Sequence, residues 1–258
     1  MNLQYLLGRV IRLPLKLLPK NLIVRVVSGI NKGFKWRVGS TVHGCWLGFY
    51  ESDKQRFIKN IVKPNMIAYD IGANAGFYTL AFYRLVGKEG KVYSFEPLAE
   101  NANNILRHIN INKCNNTFLY QIAISDVDGM STFNVNETSN SMGSLSQTGG
   151  GYLIPIFTID TLIKEHNVPV PNIIKMDVEG AESSVLMGSK KLLEMKMTTW
   201  LIALHGEVQK KECYSILTQY GYKIYHLDGY EILGPEIETD EIYAMPNLKN
   251  NVPHRQCI

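Results

Sequence analysis

The sequence predicts an α/β fold in which helices cover both faces of one doubly wound, mostly parallel sheet. Three observations carry this prediction. After residue 50, short apolar runs alternate with runs that repeat at helical spacing. The 258 residues are enough for one large core. With 45% apolar and 19% charged residues, the composition is ordinary for a globular protein.

The predicted elements follow one another from residue 65. Strands are predicted in the runs NMIAYDIG, GKVYSFEP, TFLYQIAIS, NIIKMDVEG, TWLIALHGE, YKIYHLD and EIYAMPN. Helices are predicted in the runs AGFYTLAFYRLV, AENANNILRHININ, AESSVLMGSKKLLEM and KKECYSILTQYG. Between Val127 and Thr158 the alternation stops, and the polar run SNSMGSLSQTGGG is predicted to be a mobile surface loop.

The N-terminal segment, residues 1–41, is predicted to be basic and amphipathic. No acidic residue precedes Glu51, and Arg9 and Arg12 are interleaved with apolar residues up to a break at Pro14. Such a segment suits the surface of an anionic membrane, or it packs on the domain with its basic face in water. It is too interrupted for a spanning helix or for the apolar centre of a signal peptide.

The spacing of the cysteines indicates whether the protein resides in a reducing or an oxidising compartment. Cys45, Cys114, Cys213 and Cys257 are far apart, without a CxxC pair. We predict free thiols in a reducing environment. The expected location is the cytoplasm, with peripheral contact at the inner face of the membrane as an option.

The stretch YDIGANAGFYTL joins a predicted strand to a predicted helix. Asp70 precedes Gly72, Asn74 and Gly76, and glycines there let the backbone turn tightly and approach a ligand closely. In a doubly wound sheet, ligands bind at this end of the strands. A dinucleotide fingerprint reads GxGxxG, but Asn74 takes the middle position and the third glycine comes one residue late. We therefore do not expect a pyrophosphate cradle.

A second acidic residue, Glu96, ends the next predicted strand in SFEP. A carboxylate there can accept hydrogen bonds from both hydroxyls of a ribose. With the glycine loop and without a phosphate signature, it indicates a ligand that joins a nucleoside to a cationic amino acid, which is S-adenosylmethionine. A structural interpretation is the alternative: the glycines allow tight packing, Asp70 caps the turn and Glu96 begins a helix.

Together with SFEPLAENANNILRHININ, IAISDVDG, FTIDTLIKE and IIKMDVEGAE, the glycine loop resembles the FkbM family of class I methyltransferases along about residues 42–246. The resemblance implies a Rossmann-like, seven-stranded sheet whose last strand is antiparallel. It also implies methyl transfer from S-adenosylmethionine to an oxygen of a polyketide or a glycan sugar. The cofactor-binding residues that it implies are Asp70, Gly72, Ala73, Asn74, Gly76, Glu96, Ala123 and Ile124.

Two later strands end in residues that suit acceptor chemistry. Asp177 and Glu179 follow one strand in KMDVEGAE, and His205 follows the next in ALHGE. We predict all three as catalytic, with His205 as general base because its reference pKa of about 6.5 is near working pH. Asp177 would orient the acceptor hydroxyl or the cofactor's cation. The structural alternatives are first-turn carboxylates for Glu179 and Glu182, a backbone-bonded His205 and a solvated Lys175.

No metal is expected at this site. The alternative is a divalent ion bound by Asp177 and His205, because carboxylate and imidazole suit several such ions. Too few ligands can be named from the sequence to choose it, since geometry decides metal sites.

We therefore predict a methyltransferase domain at residues 42–258 that moves a methyl group to a sugar hydroxyl of a glycan or glycolipid. Methylation of a polyketide or another small-molecule hydroxyl is the first alternative. A nucleotide-dependent oxidoreductase and a non-catalytic module that binds a membrane surface are alternatives of other classes. No nucleic-acid partner is expected, because the basic residues cluster at the N-terminus. The acceptor pocket is expected to be walled by the segment from Asp126 to Thr158.

Overall fold

The computed structural model describes residues 15, 17–135, 143–146 and 152–247. The predicted amphipathic run around Arg9 and Arg12 lies outside these residues, as does Cys257. The cysteines within them are buried free thiols, as predicted: Cys45, Cys114 and Cys213.

Strands and helices alternate along most of the described chain. The strands are β1 (Ile23–Arg25), β2 (Lys35–Arg37), β3 (Ile67–Ile71), β4 (Lys91–Phe95), β5 (Thr117–Tyr120), β6 (Ala123–Ile124), β7 (Gly129–Val135), β8 (Gly143–Ser146), β9 (Tyr152–Phe157), β10 (Ile173–Met176), β11 (Thr199–Ala203), β12 (Tyr222–His226), β13 (Glu231–Ile232) and β14 (Glu241–Pro246). The helices are α1 (Gly44–Leu47), α2 (Ser52–Ile61), α3 (Phe77–Val86), α4 (Ala99–Asn112), α5 (Ile159–Glu165), α6 (Glu182–Met187), α7 (Lys190–Met195) and α8 (Glu207–Gln219).

The main sheet has eight strands in the order β13-β12-β14-β11-β10-β3-β4-β5. The five strands from β11 to β5 in this order are parallel to one another, whereas β14 is antiparallel to both β11 and β12. The predicted fold class is therefore confirmed, including the antiparallel last strand. The sheet has one strand more than the seven predicted, because the short β13 extends its edge. The carboxyl ends of β3, β4, β10 and β11 meet at one edge.

Apolar cores lie on both faces of this sheet. On one face, α3 is buried along most of its length, and its Phe77 packs 6.3 Å from Trp36, measured between ring centroids. Trp36, which belongs to β2, is fully buried and stacks on His108 at 4.0 Å. Leu193 of α7 and Leu217 of α8 belong to the core of the other face. Residues before position 42 thus share a core with α3, and the domain boundary there stays a prediction.

One predicted helix and one predicted strand are each divided in two. The run AESSVLMGSKKLLEM forms α6 and α7 rather than one helix. Gly188 lies at the break, where an added Cβ would be 2.0 Å from the carbonyl oxygen of Ser125, so only glycine leaves room for the segment that passes there. The run TFLYQIAIS forms β5 and β6, which belong to different sheets.

The second of these sheets has the order β6-β9-β7-β8. Its strand β8 lies within the run SNSMGSLSQTGGG, for which we predicted a mobile loop. That prediction is wrong for residues 143–146, because they pair antiparallel with β7. The rest of the run lies outside the described residues.

Gly72 offers a stability test of the loop that follows β3. Its φ is +71°, and an added Cβ would lie 1.8 Å from the carbonyl oxygen of Asp177. Gly33 has a φ of +87° with nothing within 4 Å of such a Cβ, so it is the matched control. We expect Gly33→Ala to lower the free energy of unfolding by about 1 to 2 kcal/mol from backbone strain alone. Gly72→Ala should cost about 1 to 3 kcal/mol more, because the clash adds overpacking.

Urea unfolding of both variants, without cofactor, measures the difference. Equal losses for the two variants would contradict the close approach between this loop and the end of β10.

Candidate active site

The loop between β3 and α3 folds over the end of β4. The backbone amides of Gly72 and Ala73 both donate to the carbonyl oxygen of Phe95, at 3.0 and 3.1 Å. Gly76 has a φ of +83° and stands immediately before α3. The glycines therefore provide the tight turn that the sequence predicted, held by hydrogen bonds to the neighbouring strand.

Asn74 and Glu96 connect this loop to the residues after β4. Asn74 has a φ of +50°, and its backbone amide donates to Glu96 Oε2 at 2.8 Å. Glu96 Oε1 accepts from the Leu98 amide at 3.0 Å and from Asn101 Nδ2 at 3.3 Å. Glu96 is 4% exposed, and this burial raises its pKa to about 7, against the opposing effect of its hydrogen bonds. The carboxyl group is therefore fixed in position and changes charge near neutral pH.

A buried charge cluster lies beneath the loop. Asp70 is fully buried and accepts a hydrogen bond from Thr79 Oγ1 at 2.7 Å. Lys175 Nζ lies 3.6 Å from Asp70 Oδ1 and 3.5 Å from Asp177 Oδ2, and it donates to the Gly72 carbonyl oxygen at 3.2 Å. The interpretation of Lys175 as a solvated residue is wrong, because it is 4% exposed and its charge is compensated inside the protein.

A cavity of about 300 Å³ opens at the carboxyl edge of the sheet. Most predicted cofactor residues line it: Gly72, Ala73, Asn74, Glu96, Ala123 and Ile124. Asp70 and Gly76 do not line it. Asp70 lies buried in β3 before the loop, and Gly76 lies at the end of the loop, immediately before α3. Tyr50 and Thr41, from the chain before α2, contribute to its wall. Of the segment from Asp126 to Thr158, which we expected as the wall, no described residue lines this cavity.

The three predicted catalytic side chains meet beside this cavity. His205 Nε2 lies 3.7 Å from Asp177 Oδ1 and 3.6 Å from Glu179 Oε2. Asp177 and Glu179 line the cavity. Glu179 has a φ of +55°, a conformation that turns the chain between β10 and α6. The structure thus brings His205 close to two carboxylates that precede it by 28 and 26 residues along the chain.

The charges of this cluster influence one another. The hydrogen bond of His205 to Glu182 and the carboxylates of Asp177 and Glu179 raise the pKa of His205 to about 9. Burial alone would raise the pKa of Asp177, but the charges of Lys175, Lys54 and His205 prevail and lower it. The reference pKa on which we based the role of His205 is therefore not its pKa in the folded protein.

The same three side chains are the group that could hold a metal ion among the described residues. Asp177, Glu179 and His205 each offer one ligand atom, and these atoms lie within 4.8 Å of one another. Acidic side chains often cluster without an ion, so the metal-free site stays a prediction and the divalent ion stays its alternative.

Sequence reasoning missed a second charged group at this edge. Lys54 is 3% exposed, lies 2.9 Å from Glu51 Oε2 and also pairs with Glu241. The Tyr78 hydroxyl, in the cavity wall, donates to Glu51 Oε2 at 2.6 Å. Glu51 and Lys54 are neighbours at the start of α2, but Tyr78 belongs to α3 and Glu241 to β14, so no local pattern indicates that these two join the pair.

The fold and this site define a methyltransferase of the class whose cofactor lies at the carboxyl edge of a mostly parallel sheet. The model of the family described as methyltransferase FkbM domain matches residues 70–224. The chain belongs to this family, and the match confirms the predicted S-adenosylmethionine-dependent methyltransferase over the oxidoreductase and the non-catalytic module.

Individual relatives are more distant. The chain is similar to the hexuronic acid methyltransferase AglP of Haloferax volcanii, with 23% identity over 170 residues that cover 66% of this chain and 68% of that protein. It is similar to the solved FkbM methyltransferase of Methylobacillus flagellatus at 18% identity and a TM-score of 0.49, covering 70% of this chain. The match spans only 43% of that protein's length. An S-adenosylmethionine-dependent O-methyltransferase of Thermotoga maritima matches at 11% identity and a TM-score of 0.48, over 88% of this chain and 78% of that one.

The residues that line the cavity suit the chemical groups of S-adenosylmethionine. Its apolar walls at Ala123 and Ile124 fit an adenine ring, and the buried Glu96 carboxylate fits a pair of ribose hydroxyls. At the other side, Asp177 supplies negative charge where the cofactor's cationic portion would lie. An apolar wall, a buried acid and a second acid match this cofactor without a phosphate site.

Replacing Glu96 tests the ribose contact. At about pH 8, we expect Glu96→Gln to weaken S-adenosylhomocysteine binding by about 1.5 to 3 kcal/mol, because a charge-assisted hydrogen bond is lost. Since burial raises the pKa of Glu96 to about 7, wild-type affinity should rise as the pH passes upward through this value and the carboxyl group ionises. The affinity of the variant should not show this rise. Titration calorimetry measures both effects.

The control is Glu100→Gln, which changes an exposed acid on α4. A Glu96→Gln protein that binds within about twofold of wild type, against the more than tenfold loss expected, would rule out Glu96 as the ribose acid.

Proposed function

We propose that this methyltransferase methylates a hydroxyl oxygen of a sugar, in a glycan or glycolipid. The observation that carries the proposal is the cluster of His205, Asp177 and Glu179 at the cavity edge. An alcohol loses its proton when its oxygen is methylated, so the acceptor must stand beside a proton acceptor. The name of the Haloferax relative, a hexuronic acid methyltransferase, supports a sugar as the acceptor.

On the cofactor side, we assign one role to each part of the cavity. The backbone of the loop at Gly72, Ala73 and Asn74 would lie close to the cofactor. Glu96 would hold the ribose. Ala123 and Ile124 would face the adenine. Asp70 and Gly76 would act indirectly by supporting the loop, because neither lines the cavity.

On the acceptor side, His205 would take the proton. S-adenosylmethionine, held by the glycine loop and Glu96, would supply a methyl carbon on a sulfonium. Transfer would form a bond from the acceptor oxygen to that carbon, break the carbon–sulfur bond with its electron pair staying on sulfur, and release the hydroxyl proton. His205 Nε2 would accept that proton while Asp177 and Glu179 stabilise the resulting imidazolium, since both carboxylates lie within 3.7 Å of this nitrogen. Asp177 would also orient the hydroxyl.

This role has a pH dependence. The hydrogen bond to Glu182 and the nearby carboxylates raise the pKa of His205 to about 9, so the ring of the enzyme without acceptor is charged at neutral pH. Only the neutral ring accepts a proton. Turnover should therefore increase with pH, reach half its maximum at about pH 9 and level off above that.

We expect labelled methyl transfer from S-adenosylmethionine to methyl glucuronide or to neutral methyl glycosides, with the pH profile described above. His205→Ala should lower turnover by about 10²- to 10⁴-fold, the contribution of a positioned base, and should flatten the pH profile. Binding of S-adenosylhomocysteine should stay within about twofold, because His205 does not line the cofactor cavity. The assay is run with a chelator present, so that a metal requirement would appear as loss of wild-type activity.

The matched control is His166→Ala, since His166 is exposed at the end of α5 and does not line the cavity. Wild-type turnover in His205→Ala would remove the base assignment. Transfer to polyketide hydroxyls but to none of the sugars would overturn the proposed acceptor.

We also propose that the basic N-terminus contacts anionic membrane near lipid-linked sugar acceptors. What supports this is its composition, with Arg9 and Arg12 among apolar residues and no acid before Glu51. Within the described part of the chain, no helix is long and apolar enough to cross a membrane.

Replacing both arginines tests the membrane contact. Arg9→Gln with Arg12→Gln should weaken binding to anionic vesicles by about 2 kcal/mol, because each basic residue near the surface adds about 1 kcal/mol. Added salt should weaken wild-type binding in the same direction. The control pair is Lys59→Gln with Lys63→Gln, two exposed lysines of the folded domain. Cosedimentation that is equal for both double variants would contradict the proposal.

A further inference from the structure

A buried carboxylate stands behind the imidazole of the acceptor site. Glu182, the first residue of α6, is fully buried. Its Oε1 accepts from His205 Nδ1 at 2.8 Å and from the Gly180 amide at 3.0 Å. Among the described residues, no hydrogen-bond partner reaches Oε2. A carboxyl group taken out of water is costly unless it is paired, so its contact with His205 is a strong constraint on this part of the fold.

The two ring nitrogens of His205 have different surroundings. Nδ1 faces Glu182, which does not line the cavity, and Nε2 faces Asp177 and Glu179, which do. The hydrogen bond made by one nitrogen of a histidine decides which nitrogen carries the proton in the neutral ring. An acceptor oxygen such as that of Glu182 keeps the proton on Nδ1, so Nε2 presents its lone pair toward the cavity.

We propose that Glu182 is a positioning residue, which holds the His205 ring with its Nδ1–H inward so that Nε2 meets the acceptor proton. This inference rests on the proposed function, because it is His205 that contacts the acceptor. Glu182 acts in a second way when the proton arrives. Its negative charge lies 2.8 Å from the other nitrogen and stabilises the imidazolium that forms.

A purely structural role for Glu182 predicts different contacts and different effects of its replacement. Carboxylates in the first turn of a helix commonly bond the free amides of that turn and interact with its dipole. Glu182 instead binds the amide of Gly180, which precedes the helix, and the ring of His205, which follows β11. If the role of Glu182 were only structural, replacing it would lower the stability of the fold. The tautomer of His205 would not change, and turnover would not fall while cofactor affinity stayed the same.

The test combines a spectrum of the ring with kinetics. In wild-type protein labelled with ¹⁵N-histidine, without cofactor or acceptor and with a chelator present, long-range ¹H–¹⁵N spectra are recorded at about pH 10, where the ring is neutral. The expected pattern for His205, identified by its absence from His205→Ala, is that of the Nδ1–H tautomer. A wild-type Nε2–H pattern overturns the positioning role without any variant.

Two substitutions then separate the hydrogen bond from the charge. Glu182→Gln keeps an oxygen that accepts from Nδ1–H but removes the charge, and Glu182→Leu removes both. We expect the Nδ1–H tautomer to persist in Glu182→Gln and to be lost in Glu182→Leu. Turnover on methyl glucuronide, compared at the high-pH plateau of each protein, should fall about tenfold or more in Glu182→Gln and further in Glu182→Leu, up to about the 10²- to 10⁴-fold loss of removing the base. Affinity for S-adenosylhomocysteine should not change.

The matched control is Glu207→Gln, which changes an exposed acid two residues from His205 at the start of α8. It should retain wild-type turnover. If Glu182→Leu does not fold, the wild-type spectrum and Glu182→Gln still decide, since wild-type turnover in Glu182→Gln together with an unchanged pH profile would overturn the role of the charge. An Nδ1–H tautomer in a protein that methylates no sugar would instead overturn the proposed acceptor and leave the ring geometry standing.

Discussion

The ammonium group of Lys175 holds the two halves of the site together. It lies between Asp70 and Asp177, at 3.6 and 3.5 Å, and donates to the Gly72 carbonyl oxygen at 3.2 Å. Removing one partner from a buried ion pair leaves an uncompensated charge and costs about 3 to 5 kcal/mol. The loop after β3, the end of β10 and the Asp177 carboxylate are therefore coupled through this one cation. Glycine at position 72 is part of the same constraint, because the Asp177 backbone occupies the space of a side chain.

The two sides of the cavity differ in how their carboxyl groups are used. Glu96 is held by three hydrogen bonds and buried among apolar residues, so its pKa is raised to about 7. Asp177 is surrounded by cations and its pKa is lowered. One acid is thus rigid, and it gains the charge that strengthens hydrogen bonds from ribose hydroxyls as the pH rises through about 7. The other stays charged, which suits a sulfonium or an imidazolium nearby. A ribose and a sulfonium, both parts of S-adenosylmethionine, present these two demands.

The ring of His205, the proposed base, has a constrained orientation. Glu182 and the pair of Asp177 and Glu179 contact opposite nitrogens of His205, so the ring is held in one orientation from both sides. The contacts that would make Nε2 a good proton acceptor also keep it protonated at neutral pH, since they raise the pKa of His205 to about 9. Positioning and basicity thus have the same physical cause here, which would link the proposed acceptor chemistry to pH.

The sequence by itself determined the alternation of strands and helices, the glycine turn after β3 and the ends of β4, β10 and β11, because periodicity and turn residues are local signals. From these ends it also determined that Glu96, Asp177 and His205 lie at one edge of one sheet. The tertiary structure decided the contacts between residues that lie far apart along the chain. It placed Lys175 inside rather than in water, brought Lys54 to the site from α2 and put Glu182 behind His205. It also split a predicted helix at Gly188 where another segment passes. Burial, pKa and close approach depend on neighbours remote in sequence, and no local pattern encodes them.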